Sequence, residues 1–187
     1  MDYSIPVIST TYRDQRYRSR LEAQWAAFFD LLEWRHEYEP FRVGSWLVDF
    51  HLPEFNALVE IKPLDYWGNW TDVWQRVSSA MKSSGRRSAV ILTRAMPDRC
   101  DGIPSIGWCG LPGTGFAPKV NAYISRWFNA GSFYPSVVGS QEGISREHDG
   151  PIDTALCDAV FLRWKAAGKI ISATAQANAS YFVGDRP

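Results

Sequence analysis

The stretch Ser45–Pro63, SWLVDFHLPEFNALVEIKP, decides how the rest of the chain is read. Ser45 to His51 and Ala57 to Lys62 each alternate with a period of two, as a strand with two distinct faces does. Trp46, Val48 and Phe50 share one face of the first strand; Leu47, Asp49 and His51 share the other. In the second strand Leu58, Glu60 and Lys62 lie on one face and Val59 and Ile61 on the opposite one. Leu52 to Asn56 reads as the hairpin connection. A turn centred on Glu54 and Phe55 puts Asp49 across from Glu60, and Leu47 across from Lys62. Residues opposed in this way have Cβ atoms about 5 Å apart and point to the same face.

Two facing carboxylates repel unless something positive lies between them. A Mg²⁺ or Mn²⁺ ion resolves the conflict, since such ions take oxygen ligands and keep several waters when held by one or two carboxylates. Lys62 follows Glu60 by two residues and so shares its face. Its ammonium suits charge on a scissile phosphate, or the orientation of an attacking water. A metal there would polarise the phosphate and lower the pKa of a bound water. The Ile61 carbonyl is a further candidate ligand. Glu22, in the leading helix, could reach over the sheet as a third carboxylate, or it could only complete a capping box with Ser19; both readings stand. An E-x-K pair alone is also common on surface strands.

The 187 residues suffice for one domain with a sizeable core. Hydrophobic residues make up 45% and charged residues 21%, which excludes a disordered chain. Nine Trp, eight Tyr and ten Phe could fill a core or offer stacking surfaces for bases, the core being the default. Twenty basic and twenty acidic residues give zero net charge, which argues against a phosphate-coating protein. It does not argue against an enzyme whose carboxylates belong to its site. The basic residues cluster at Arg13, Arg16, Arg18 and Arg20 and again at Lys82, Arg86 and Arg87. No stretch has the length and apolarity of a membrane span, and MDYSIPVIST lacks the pattern of a signal peptide, so a cytoplasmic location is expected. Cys100, Cys109 and Cys157 are odd in number and lack CxxC spacing, so reduced thiols are expected. A zinc site from Cys100, Cys109 and His148 is poorly supported by the spacing.

Along the chain, residues 1–11 read as a loose arm. A helix is expected from about Tyr17 to Glu33, or from slightly later if Ser19 to Glu22 is its capping box, with Leu21, Trp25, Phe28, Phe29 and Leu32 as its buried stripe. His36 to Pro40 suits a short strand and Gly44 a turn. Thr71 to Ser84 reads as a second helix, with Thr71 as N-cap and Gly85 as its end. Ser88 to Thr93, SAVILT, suits a buried strand, reached by a right-handed crossover and parallel to its partner. Residues 95–150 are rich in Gly and Pro yet aromatic, and Val120 to Phe128 reads as strand or helix. A last helix is expected from about Pro151 to Ala179, with Leu156, Val160 and Trp164 as its stripe and Gly168 as an interruption.

Glu22 in a leading helix, Asp49 in a strand and Glu60-Ile61-Lys62 in the next, followed by helix and strand, resemble the PD-(D/E)XK nuclease superfamily. YRSRLEAQWAAFFDLLEW (Tyr17 to Trp34) and HEYEP (His36 to Pro40), with LVDFHLPEFNALVEIKP, look like small nuclease-like proteins of bacteria and their phages. The middle part is similar to transposon end-cleaving endonucleases and archaeal-type Holliday-junction resolvases. The resemblance covers about Tyr17 to Thr93, and Val48 stands where the family has proline. It implies an α/β fold with a restriction-endonuclease-like α-β-β-β-α-β core: a central mixed sheet flanked by helices. One domain over residues 1–187 would have its core at about 12–94 and an extension over 95–187. The implied activity is hydrolysis of phosphodiester bonds with Mg²⁺ or Mn²⁺, in DNA processing, recombination, restriction or transposition. Asp49, Glu60 and the Ile61 carbonyl would hold metal, Glu22 would assist, and Lys62 would act at the phosphate.

Arg16, Arg18, Arg20 and Gln75 are candidate nucleic-acid contacts, weighed against ordinary solvated positions. Gln75 and Arg76 are weighed as approaching the metal face against ordinary surface positions, the favoured reading; His51 as a general base or ligand against a structural histidine, again the favoured reading; and Trp67, Trp70 and Trp74 as stacking or core residues. DNA is the expected partner. The same metal chemistry would serve RNA, and a homodimer would let both strands be cut. The rival from another class is a non-catalytic binding or assembly protein on the same fold.

Overall fold

The computed structural model describes residues 8–63, 71–100, 103–111, 120–126, 133–136 and 154–183. A hairpin of β1 (Thr10–Tyr12) and β2 (Gln15–Tyr17) opens this part of the chain; Arg13 and Asp14 make its turn with positive φ. The arm expected over residues 1–11 is thus a strand from Thr10, and residues 1–7 lie outside the described set. Because Tyr17 pairs with Thr10, the first helix starts later than Tyr17. It is α1 (Arg20–Leu31), capped by Ser19, whose Oγ accepts the Glu22 N–H at 3.1 Å.

A seven-stranded sheet runs in the order β11-β10-β9-β8-β7-β6-β3. Its members are β3 (Glu37–Tyr38), β6 (Phe50–Leu52), β7 (Ala57–Glu60), β8 (Ala89–Cys100), β9 (Ile103–Gly110), β10 (Val120–Arg126) and β11 (Phe133–Ser136). Only the β7–β8 pair is parallel, so the sheet is mixed and the fold α/β. Helix α2 (Thr71–Ser84) joins these two strands and ends at Gly85, whose φ of +65° suits a residue without Cβ. Thr71 is the first residue of α2, and the preceding cap position lies outside the described residues. Asn56, left-handed at φ 47°, links the starts of the parallel strands. Its amide donates to the Arg87 carbonyl at 3.2 Å, and its Oδ1 accepts from Ser88 at 2.8 Å.

The segment after Thr93, expected as an extension, continues the sheet. Strand β8 runs on to Cys100, and β9, β10 and β11 extend the same sheet; the segment open to strand or helix at Val120 is β10. Register shifts put extra residues on β8 between Thr93 and Asp98 and on β9 at Ile106, which interrupts the period of two there. The last helix, α3 (Thr154–Val183), passes through Gly168 without a break; Pro151 lies outside the described residues. Gly168 faces α1, where a Cβ would come within 3.1 Å of Gln24 Nε2, so its bareness lets the two helices approach closely.

Apolar side chains divide between the two faces. On one face Trp25, Phe28 and Phe29 of α1 pack with Leu156, Val160 and Trp164 of α3 over Val59 and Ile91. On the other, Trp74, Val77 and Met81 of α2 cover Leu58, Val90 and Leu92. Among the described residues no helix is long and apolar enough to cross a membrane.

The strand expected over Ser45–His51 is two strands. A small hairpin of β4 (Arg42–Val43) and β5 (Trp46–Leu47) turns at Gly44 and packs on α2. The chain then bends at Val48 and Asp49 before β6. Trp46 and Val48 consequently face α2, whereas Phe50 faces α1 and α3, and Leu47 pairs with Arg42 rather than Lys62.

Candidate active site

Strands β6 and β7 pair with Phe50 opposite Val59 and His51 opposite Leu58, joined by a single 3-10 turn over Pro53–Phe55. One step further, this register brings Asp49 across from Glu60. Both are buried, at 1% and 3% exposure. At a separation of about 5 Å and an effective dielectric of about 20, two full negative charges repel by about 3 kcal/mol. The surroundings supply the compensation. Glu60 Oε2 accepts from the Trp46 indole N–H at 2.6 Å, while Oε1 lies 2.9 Å from Lys62 Nζ and 3.3 Å from Arg76 Nη2. Asp49 Oδ2 accepts the Ile61 N–H at 2.7 Å, which holds the Ile61 peptide against it. Thr93 Oγ1 donates to the Glu60 carbonyl at 3.3 Å and ties this strand end to β8.

Asp49 Oδ1 is held by the Arg18 guanidinium. The same guanidinium has its Nε 2.6 Å from Glu39 Oε1 and its Nη2 3.8 Å from Glu22 Oε1. Glu22 lies beside the Asp49–Glu60 pair and is tied to the backbone. Its Oε2 accepts from the Tyr38 hydroxyl at 2.7 Å and from the Arg18 N–H at 3.1 Å. The capping box is therefore half formed: Ser19 caps Glu22, but the Glu22 carboxylate reaches the Arg18 N–H and not that of Ser19.

Burial, then the Glu60 charge, pushes the Asp49 carboxyl up to about 7, against the opposing pull of the Ile61 N–H and of Lys62. Folding therefore favours the protonated form. That contribution is complete below the ordinary value of 3.8 and is lost as pH rises through about 7. The metal-free protein should lose stability across this window. Urea midpoints measured from pH 4 to pH 8 check this, and Asp49→Asn should remove that part of the slope. An unchanged slope in the variant would show that Asp49 is not its source.

Of the residues proposed from sequence, Asp49, Glu60, Ile61 and Lys62 come together, and Arg18 joins them as an ionic partner. Arg16 lies on β2, its Nε donating to Ser9 Oγ at 2.8 Å. Arg20 turns to α3 and donates to Ser172 Oγ at 2.7 Å. Of the two α2 residues weighed as approaching the metal face, Gln75 is exposed and Arg76 is the one that reaches Glu60. His51 pairs with Glu37 at 2.9 Å, Trp74 is buried on the inner side of α2, and Trp67 and Trp70 lie outside the described residues. Trp46, Tyr38 and Glu39 were missed. The i,i+4 spacing of Arg18 and Glu22 was a signal of a carboxylate partner for Arg18; HEYEP carried none. Cys109 is a buried free thiol pushed up to about 12 by burial, which disfavours the thiolate a zinc ion needs; Cys100's side chain and His148 lie outside the described residues.

Among the described residues no three His, Cys, Asp or Glu side chains converge as a ligand set. A pair of carboxylates is what Mg²⁺ needs when waters and a phosphate complete its shell. Asp49 and Glu60 fit that requirement: oxygen donors, buried and opposed, with cationic partners on partly exposed side chains. Compared with known proteins, the chain has no significant match to a family model, a curated protein or a solved structure, so its function is read from this site.

Proposed function

We propose that the protein is a Mg²⁺- or Mn²⁺-dependent nuclease that hydrolyses phosphodiester bonds in DNA, on a restriction-endonuclease-like fold of the PD-(D/E)XK type. The observation that carries this reading is the buried Asp49–Glu60 pair with Lys62 Nζ 2.9 Å from Glu60. Asp49, Glu60 and the Ile61 carbonyl would hold the metal, which supplies Lewis acidity and a bound water of lowered pKa. The protein's own part is positioning and charge. The Trp46 indole fixes Glu60, and the Ile61 N–H fixes Asp49. Lys62 and Arg76 place two cations beside Glu60, where charge on a phosphoryl oxygen would develop. The test is cleavage of supercoiled plasmid and of labelled single-stranded DNA with Mg²⁺ and with Mn²⁺. Metal-dependent cutting supports the reading; a wild-type protein that cuts neither would point to the non-catalytic alternative.

A basic groove supports a polyanionic substrate. Arg20, Lys165 and Lys169, with Gly168, Ser172 and Ala173, line an open hollow of about 500 Å³ between α1 and α3. Lys165 and Lys169 are four apart on one helix face, an arrangement that costs a few tenths of a kcal/mol until an anion relieves it. Arg20 precedes Glu22 on α1, so the groove and the carboxylate site share one helix end. Replacing both lysines by alanine should weaken DNA binding and lower the slope of log K against log salt by about 1 to 2. Fluorescence anisotropy with Ca²⁺ in place of Mg²⁺ measures it, and an unchanged slope would remove the groove from the DNA path.

A further inference from the structure

We infer that Arg18 is a built-in counter-ion that holds the carboxylate site in the metal-free protein and yields Asp49 when a divalent cation binds. This deepens the nuclease reading and rests on its metal site. The guanidinium reaches three carboxylates from three parts of the fold: Asp49 at the bend before β6, Glu39 after β3, and Glu22 on α1. Asp49 offers two oxygens. Oδ2 is taken by the Ile61 N–H, a backbone group that cannot leave without breaking the strand end. Oδ1 carries no backbone donor, and it is the oxygen Arg18 holds. A divalent ion on the same carboxylate would stand beside the guanidinium charge and be repelled by it, so the two compete.

Arg18 is built to let go. Its backbone is anchored, the N–H donating to Glu22 Oε2 at 3.1 Å and to Tyr38 Oη at 2.9 Å. Its side chain is 50% exposed, against 2% for that of Asp49. The head can therefore move into solvent while the main chain and the Tyr38–Glu22 contact stay in place. Glu60 has its own cations in Lys62 and Arg76, so departure of Arg18 uncovers Asp49 without stripping Glu60. Without Arg18, Asp49, Glu39 and Glu22 would lose their shared positive partner. The free protein would then be less stable, and a divalent ion would be bound more tightly, by linkage.

The test is calorimetric titration of the full chain with Mn²⁺ and with Mg²⁺, for wild type, Arg18→Met, Arg18→Lys and Asp49→Asn. Arg18→Met should bind Mn²⁺ about tenfold more tightly than wild type or better, with Arg18→Lys in between. Asp49→Asn should bind weakly. The urea midpoint of metal-free Arg18→Met should fall, and added Mn²⁺ should raise it by more than in wild type. Equal or weaker Mn²⁺ binding by Arg18→Met would overturn the inference and leave Arg18 a structural ion pair. Should that variant not fold, the ¹⁵N-edited Arg18 Nε–H resonance of the wild type decides: it should shift on titration with Mg²⁺, and a fixed signal at saturation would overturn the inference. The two readings fail separately. Tighter binding in Arg18→Met without any DNA cleavage removes the nuclease and keeps the counter-ion. DNA cleavage with unchanged binding does the reverse, and absence of metal binding by every variant removes both.

Discussion

Asp49→Asn is expected to reduce metal-dependent DNA cleavage by about a thousandfold or more, some 4 kcal/mol of lost transition-state stabilisation. The fold should stay intact. An asparagine oxygen can still accept the Ile61 N–H, now 2.7 Å from Asp49 Oδ2, so the strand end keeps its backbone tie. Burial and Glu60 disfavour the Asp49 charge, and Arg18, which would meet an amide nitrogen in place of Oδ1, keeps Glu39 and Glu22 as partners, so the metal-free protein should lose little stability at pH 8. Activity and stability should therefore separate: a folded protein that neither binds Mn²⁺ well nor cuts. Lys62→Met provides the contrast. Lys62 partners Glu60 but offers no oxygen to a metal, so Mn²⁺ binding should persist while cleavage falls by about a hundredfold or more. First-order rates of plasmid nicking, set beside calorimetric titration of each variant, measure both effects. An Asp49→Asn protein that cuts at the wild-type rate would place the chemistry elsewhere.

The carboxylate pair was legible because it depends on local order. A period of two over Ala57 to Lys62 and a short turn at Glu54 and Phe55 set the β6–β7 register, and Phe50 does stand opposite Val59. The second helix was legible for a similar reason, since Thr71, an apolar stripe and Gly85 mark its two ends. The bend at Val48 and Asp49 was not. Alternation looks the same on either side of it, and only the β4–β5 hairpin, which commits Trp46 to the α2 face, reveals that Phe50 has changed sides. Without that bend the Trp46 indole would have no reason to meet Glu60. Arg18 was legible as a cation near the site, but its Asp49 partner is 31 residues away and follows from the packing of α1 against the sheet. The end of β8 and β9 were hidden by register shifts, which break the pattern on which strand recognition rests, and β10 was left open between strand and helix.

Gly107→Ala is expected to cost the most stability among the glycines of the described residues. Gly107 has a φ of +150°, and an added Cβ would lie 2.0 Å from the Leu92 carbonyl oxygen and 2.8 Å from the Thr93 Cα. Both are backbone atoms of β8 in the middle of the sheet, and neither can move alone. Leu92 is paired with Glu60 across the parallel β7–β8 ladder, and the Thr93 hydroxyl donates to the Glu60 carbonyl. Relief of the clash must therefore displace β9 from β8. A cost of about 3 to 5 kcal/mol follows, enough to unfold much of a marginally stable domain. Gly85→Ala serves as the reference. Its φ is also positive, but nothing lies within 4 Å of its would-be Cβ, so only about 1 kcal/mol of backbone strain is at stake. Urea midpoints of the two variants give the comparison, and a Gly107→Ala protein within 1 kcal/mol of Gly85→Ala would refute the close approach of β9 to β8. Activity adds a second axis. Cleavage by Gly107→Ala should fall only with the folded fraction and return on cooling or with a stabilising osmolyte, whereas Asp49→Asn should stay inactive while fully folded. A loss that follows folding belongs to the scaffold, and a loss at constant folding belongs to the chemistry; Glu60, in contact with both, is where the two meet.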